Sequence, residues 1–295
     1  MLRGCERVKR RYTGFVPSLT QIVRYTDCFL RIEEVGDWDN ALNGLQIENS
    51  GRVTRLGAAV DVSTRVLTEA AKKKVDLLIV HHGLFWPGLQ PVRNALRRQL
   101  QLAFGNDIAL YSAHLPLDVH PKVGNNAQLV TALFGAKLPH QNYMASRFAE
   151  DSARYNRRVR GFTQSDVEPF LEEKGQPVGL KVGASMPRSE LVRKLRRALN
   201  GQVKIFDFGR SQTRTIGIVT GAAGSEIYRV AQENIDTFIT GEAPHWAAVA
   251  AEELGMNLLL GGHYATEVFG VKALAAHLSK KFKIPWEFID CPTGL

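Results

Sequence analysis

Leu56-Gly57-Ala58-Ala59-Val60, Ser63 to Lys74, and Asp76-Leu77-Leu78-Ile79-Val80-His81-His82 stand in succession, and their reading decides the fold. The first and last are short apolar runs of strand length. Between them lies a segment of helical spacing that Ser63 is placed to cap. The same alternation extends outward. Pro17-Ser18 opens a helical pattern through Ile32, with Ser18 as N-cap, and Trp38-Asp39-Asn40-Ala41-Leu42-Asn43-Gly44-Leu45-Gln46 is a turn-rich loop leading into a strand. Arg93–Phe104 reads as a helix, Ile108–Tyr111 as a strand and Asn125–Phe134 as a helix. Strands alternating with helices predict an α/β fold with parallel pairing and helices on the sheet faces.

Residues from about Pro139 to Pro177 are polar and charged, with no assignable period. Val178–Ala184 then reads as a strand, Ser189–Leu199 as a Ser-capped helix and Val203–Phe208 as a strand. After these the first pattern returns. Shifted by 160 positions, Leu56-Gly57 meets Ile216-Gly217, Val75-Asp76 meets Ile235-Asp236, Ile79 meets Ile239 and Trp86 meets Trp246. Shifted by 149, His114 meets His263 and Asp118 meets Glu267. An internal duplication is therefore expected, giving two related α/β domains. The expected divisions are a basic N-terminal extension (1–17), a first metal-binding part (18–138), a middle segment (139–212) and a C-terminal repeat (213–295).

The bulk properties bound the function. The chain has 295 residues, 44% hydrophobic and 23% charged, a globular balance. No apolar run approaches the roughly 18 residues of a membrane span, and the basic start lacks the apolar stretch of a secretory signal. Cys5, Cys28 and Cys291 are far apart and show no disulfide framework, which fits a reducing cytoplasm. The net charge of +9 is spread in small groups without interleaved aromatics. Solvated helix faces explain it more simply than nucleic acid, and a phosphate-bearing substrate is the other reading.

Histidines and carboxylates collect where the apolar strands end: His81-His82, His114 with Asp118, and His263 with Glu267. Neighbouring residues of a regular strand point to opposite faces, so His81 and His82 are expected to converge at a turn supplied by Gly83. The four-residue steps place each histidine and its carboxylate on one side of a helix start. Three such tips together imply a metal centre. This donor mix suits zinc, iron, manganese, nickel or cobalt rather than calcium, and a bridging carboxylate would allow two ions. Glu242 reads as a base, an orienting group or a residue placed for the helix dipole, and His245 as an equivalent group or a substrate contact. Asp39, Asn40 and Asn43 suit either a ligand or a turn. His120, His140 and His277 read as structural or surface residues.

As a set these residues resemble the Nif-three-like family, also labelled GTP cyclohydrolase I type 2 homologues. The matches are Trp38-Asp39-Asn40 with Gly44-Leu45-Gln46, His81-His82, Ala113-His114 to Asp118, Thr240-Gly241-Glu242, and Gly262-His263-Tyr264-Ala265-Thr266-Glu267. The resemblance runs from about residue 18 to the C-terminus. It implies two related domains with a dinuclear metal site between them and a ring-shaped homohexamer. The implied metal ligands are His81, His82, Asp118, His263 and Glu267, with Glu267 as the bridge and His114 beside the metals. Leu115-Pro116 stands where many relatives have Thr-Asn. The label implies water attack on the purine ring of GTP, in which His114, Glu242 or His245 would move protons. A metal-dependent hydrolase acting on a nucleotide or related phosphorylated compound is thus the first expectation. A non-catalytic metal carrier, insertion factor or regulatory interaction protein is the alternative. A nucleic-acid partner ranks last.

Overall fold

The computed structural model describes residues 16–135 and 167–295. These divide into two compact units, one of residues 16–116 and 274–291, the other of residues 117–135, 167–273 and 292–295. Among the described residues no helix is long and apolar enough to cross a membrane.

The first unit holds α1 (Leu19–Leu30), β1 (Gly44–Ile47), β2 (Leu56–Asp61), α2 (Thr64–Lys72), β3 (Leu77–His82), α3 (Asn94–Gly105), β4 (Ala109–Ser112) and β11 (Trp286–Phe288). Its sheet has the order β1-β4-β3-β2-β11. β4, β3, β2 and β11 are parallel, and β1 closes one edge antiparallel. β2, β3 and β4 are buried almost throughout, as befits parallel strands covered on both faces. The two predicted serine caps form: Ser18 Oγ accepts from Gln21 N–H, and Ser63 Oγ accepts from Val66 N–H.

The second unit holds the latter half of α4 (Leu115–Asp118), then α5 (Asn125–Phe134), β5 (Val167–Glu173), β6 (Gln176–Pro187), α6 (Arg188–Leu199), β7 (Lys204–Asp207), β8 (Gln212–Ile218), α7 (Ile227–Gln232), β9 (Thr237–Thr240), α8 (His245–Glu253) and β10 (Asn257–Leu260). The long α9 (His263–Phe282) belongs to it as far as Ala273. The sheet order is β5-β6-β8-β9-β10-β7, with β8, β9 and β10 parallel and the other strands antiparallel to their neighbours. Ser189 does not cap α6 as predicted. The helix starts one residue earlier, after Pro187, and has no side-chain cap.

The duplication is visible in atomic detail. Gly57 pairs with Leu78 and Gly217 with Phe238, the same register 160 residues apart. Added Cβ atoms at Gly57 and Gly217 would lie 2.8 Å and 2.7 Å from Val75 and Ile235, so each glycine lets an equivalent β-branched side chain press on the strand. Lys74 and Asn234 both adopt left-handed backbone, at φ 55° and 56°. Asp76 accepts from the N–H groups of Thr54 (2.7 Å) and Arg55 (3.0 Å). Asp236 accepts from Arg214 (2.8 Å) and Thr215 (3.2 Å). The third strands follow at a different step. Leu110 pairs with Leu78, and Leu258 with Phe238, so β10 lies 148 residues after β4. The offset of 149 between His114 and His263 therefore includes one extra residue in the Gly261-Gly262 turn. Replacing Asp76 or Asp236 with Ala strips a carboxylate from two backbone donors and should cost about 1–2 kcal/mol each. Thermal unfolding checks this, and unchanged midpoints in both variants would refute the equivalence.

Cys291 is a thiol.

Candidate metal centre

In the first unit three imidazoles gather at the sheet's strand ends. His81 and His82 close β3, and His114 follows β4 by two residues. One ring nitrogen from each lies within 4.8 Å of the others. The rings of His81 and His82 are 4.7 Å apart, and those of His81 and His114 are 4.9 Å apart.

Each ring is oriented through Nδ1. His81 Nδ1–H donates to the Ala113 carbonyl at 2.9 Å. His82 Nδ1–H donates to Asp61 at 2.8 Å, and His114 Nδ1–H donates to Asp37 at 2.9 Å. A carbonyl or ionised carboxylate only accepts, so in the neutral form of each ring the proton sits on Nδ1 and the lone pair is on Nε2. This is the tautomer a metal-ligating histidine needs, held by the kind of outer partner such histidines have. The donor set therefore fits a borderline transition-metal ion.

Asp37 organises the loop around His114. Besides the imidazole it accepts from Trp38 N–H, Asn43 Nδ2 and Leu115 N–H. Burial works to raise its pKa, but the His114 ring, Asn43 and the Trp38 amide more than offset this and hold the carboxyl below its usual range. Asn43 Oδ1 accepts from His114 N–H, and Asn40 Nδ2 donates to the Trp86 carbonyl. These two asparagines are thus spent on the scaffold, while Asp39 is exposed. Gly83 stands between the histidine pair and the turn over residues 84–87, and it also lets Gln46 approach. An added Cβ there would lie 2.2 Å from Gln46 Nε2, and Gln46 Oε1 accepts from Leu84 N–H.

The second unit carries a histidine–carboxylate group at its own strand ends. His263 opens α9, and one turn on, Glu267 Oε2 lies 3.2 Å from His263 Nε2, the contact that the four-residue step predicts. His263 Nδ1 bonds Glu242 at 3.0 Å. Burial lowers the His263 pKa, but hydrogen bonds and charge from Glu267 and Glu242 outweigh it and lift it to about 9. Two carboxylates thus draw positive charge to this ring. Gly221, at φ 74°, gives Glu267 its room, since an added Cβ would lie 2.4 Å from Oε1. Asp118 accepts from Asn125 Nδ2 at 2.7 Å, and Asn125 Oδ1 accepts from Gly270 N–H of α9 at 2.6 Å. His245 is exposed at the start of α8.

Asp37, Asp61 and Asn125 escaped the reading of the sequence. Asp61 carried a signal, since it ends β2 beside His82 and pairs with it in register. Asp37 and Asn125 look like ordinary turn and helix-start residues until their distant partners are known. His120 and His277 are structural as expected. His120 Nδ1 accepts from Lys122 and Val123 N–H, and His277 bonds Tyr25 and stacks on Phe29. His140 lies outside the described residues.

Comparison with known proteins gives the chain's relatives. The profile described as Duf34/NIF3 (NGG1p interacting factor 3) matches residues 17–293. A protein of Deinococcus radiodurans named GTP cyclohydrolase 1 type 2 homolog is 34% identical over 280 residues, 93% of this chain and 94% of that protein. One of Pyrococcus horikoshii with the same name is 36% identical over 276 residues, covering 93% and 98%. The crystal structure of TTHA1606 from Thermus thermophilus superposes with TM-score 0.77 at 34% identity, covering 94% of this chain and all of that one.

Proposed function

The chain belongs to the Duf34/NIF3 family, and on that premise we propose that it is a dinuclear metal-dependent hydrolase of a nucleotide or related phosphorylated compound. The observation that carries the reading is the shared tautomer of His81, His82 and His114, each with Nδ1 held and Nε2 as its lone-pair nitrogen. The proposed ligands are His81 and His82 of the first unit and Asp118, His263 and Glu267 of the second. Zinc, iron, manganese and nickel all suit these donors. Bound divalent ions supply an acidic water and polarise a substrate oxygen. The chain's own groups do the rest. His114, steered by Asp37, accepts or returns a proton at Nε2. Glu242 is a positioning residue, since its Oε1 already holds the His263 ring. His245, exposed on α8, contacts substrate. The names of the relatives supply the nucleotide class. A homohexamer in the cytoplasm completes the proposal.

A screen of nucleotides against metal-loaded protein tests it. Turnover is expected, falling about 100-fold or more in His114→Ala at unchanged metal content. No hydrolysis of any nucleotide by fully loaded protein overturns the hydrolase reading in favour of a metal carrier.

A further inference from the structure

We propose that Trp38 and Trp86 form an aromatic platform that binds the flat heteroaromatic base of the substrate beside His114. This rests on the nucleotide reading above and assigns its base-binding residues.

Two indoles flank one imidazole of the cluster. The Trp86 ring is 4.8 Å from that of His114, nearly edge-on, and 5.7 Å from that of His82. The Trp38 ring lies 5.6 Å from that of His114. The His114 side chain is only 12% exposed, whereas Trp38 is 42% exposed. A large apolar ring thus reaches solvent beside a buried, polar imidazole. Apolar walls with a few convergent polar groups are the usual make-up of a small-molecule site.

The indole is not exposed on a loose loop. Asp37 accepts from Trp38 N–H at 2.8 Å, and the Trp38 carbonyl accepts from Ala41 N–H at 2.9 Å. Asn40 ties the same loop to the Trp86 carbonyl at 2.6 Å. The two tryptophans are therefore fixed to one another through Asn40 and to His114 through Asp37. Such a preorganised indole loses little entropy when a ring stacks on it.

Stacking on an aromatic side chain gains about 1–3 kcal/mol per base and does not depend on which base is bound. The platform should therefore separate base-bearing compounds from bare sugar phosphates without choosing between guanine and adenine.

Titration calorimetry on metal-loaded full-length protein tests this with GTP, ATP and ribose 5-phosphate. In Trp38→Ala both nucleotides should bind about tenfold more weakly, with a smaller loss in Trp38→Phe. Ribose 5-phosphate affinity and metal content should not change. Trp246→Ala, which removes an exposed indole of α8, should leave nucleotide binding intact. Three results would overturn the platform: nucleotides binding no tighter than ribose 5-phosphate, equal affinities in wild type and Trp38→Ala, or an altered oligomer size in Trp38→Ala with nucleotide binding untouched. Trp38-dependent binding without turnover would strike only the hydrolase reading. Turnover with Trp38-independent binding would strike only the platform.

Discussion

His82→Ala and Glu267→Ala should each weaken metal binding at least tenfold, while the chelated proteins unfold at nearly the wild-type temperature. Loss of an outer partner alone typically weakens a metal site 10–100-fold, so loss of a ligand sets that as a floor. The structural cost of either change is small for identifiable reasons. Without the His82 ring, Asp61 stays about one-third exposed and can be hydrated. Without the Glu267 carboxylate, His263 keeps its bond to Glu242. Elemental analysis after purification without chelators, with unfolding of the chelated proteins, checks both halves. Full metal retention in both variants would sink the proposed ligand set.

Gly124→Ala should be strongly destabilising to the loop that carries Asp118. An added Cβ would lie 2.4 Å from the His120 carbonyl oxygen, 2.5 Å from that of Asp118 and 2.8 Å from that of Leu117. All three neighbours are backbone, so no flexible side chain can move aside. Overpacking of this kind costs about 3 kcal/mol, or a fall of roughly 6–12 °C in unfolding midpoint. Metal content should fall with it, because the displaced backbone carries Asp118 and precedes Asn125, which joins Asp118 to α9. Gly105→Ala is the control, since an added Cβ there meets nothing within 4 Å. A Gly124→Ala protein as stable as the control would refute the close-packed loop.

The nucleotide proposal stands on the imidazoles and the names of the relatives.

Much of the fold was legible because periodicity is local. The apolar runs ending at Val80, Tyr111 and Leu260 formed strands, and Ser18 and Ser63 capped the helices they precede. Proline displaced serine at α6 because its backbone already sets the helix entry. The duplication could be read faintly as matched spacing, but the paired aspartates and pressed glycines that establish it appear only in the folded sheets. In the site, residue type and strand-end position marked His81, His82, His114, His263 and Glu267, since chemistry at such tips is a property of short segments.

The amino-acid order by itself determined the alternation of strands and helices and which donor groups end the strands. Tertiary structure decided which groups meet. Asp37 finds His114 across 77 residues, and Asn125 finds Gly270 across 145. Strand order and register set those encounters, and no local spacing encodes them. With the partners came the tautomer, because only an acceptor at Nδ1 leaves Nε2 as the nitrogen that can hold a metal.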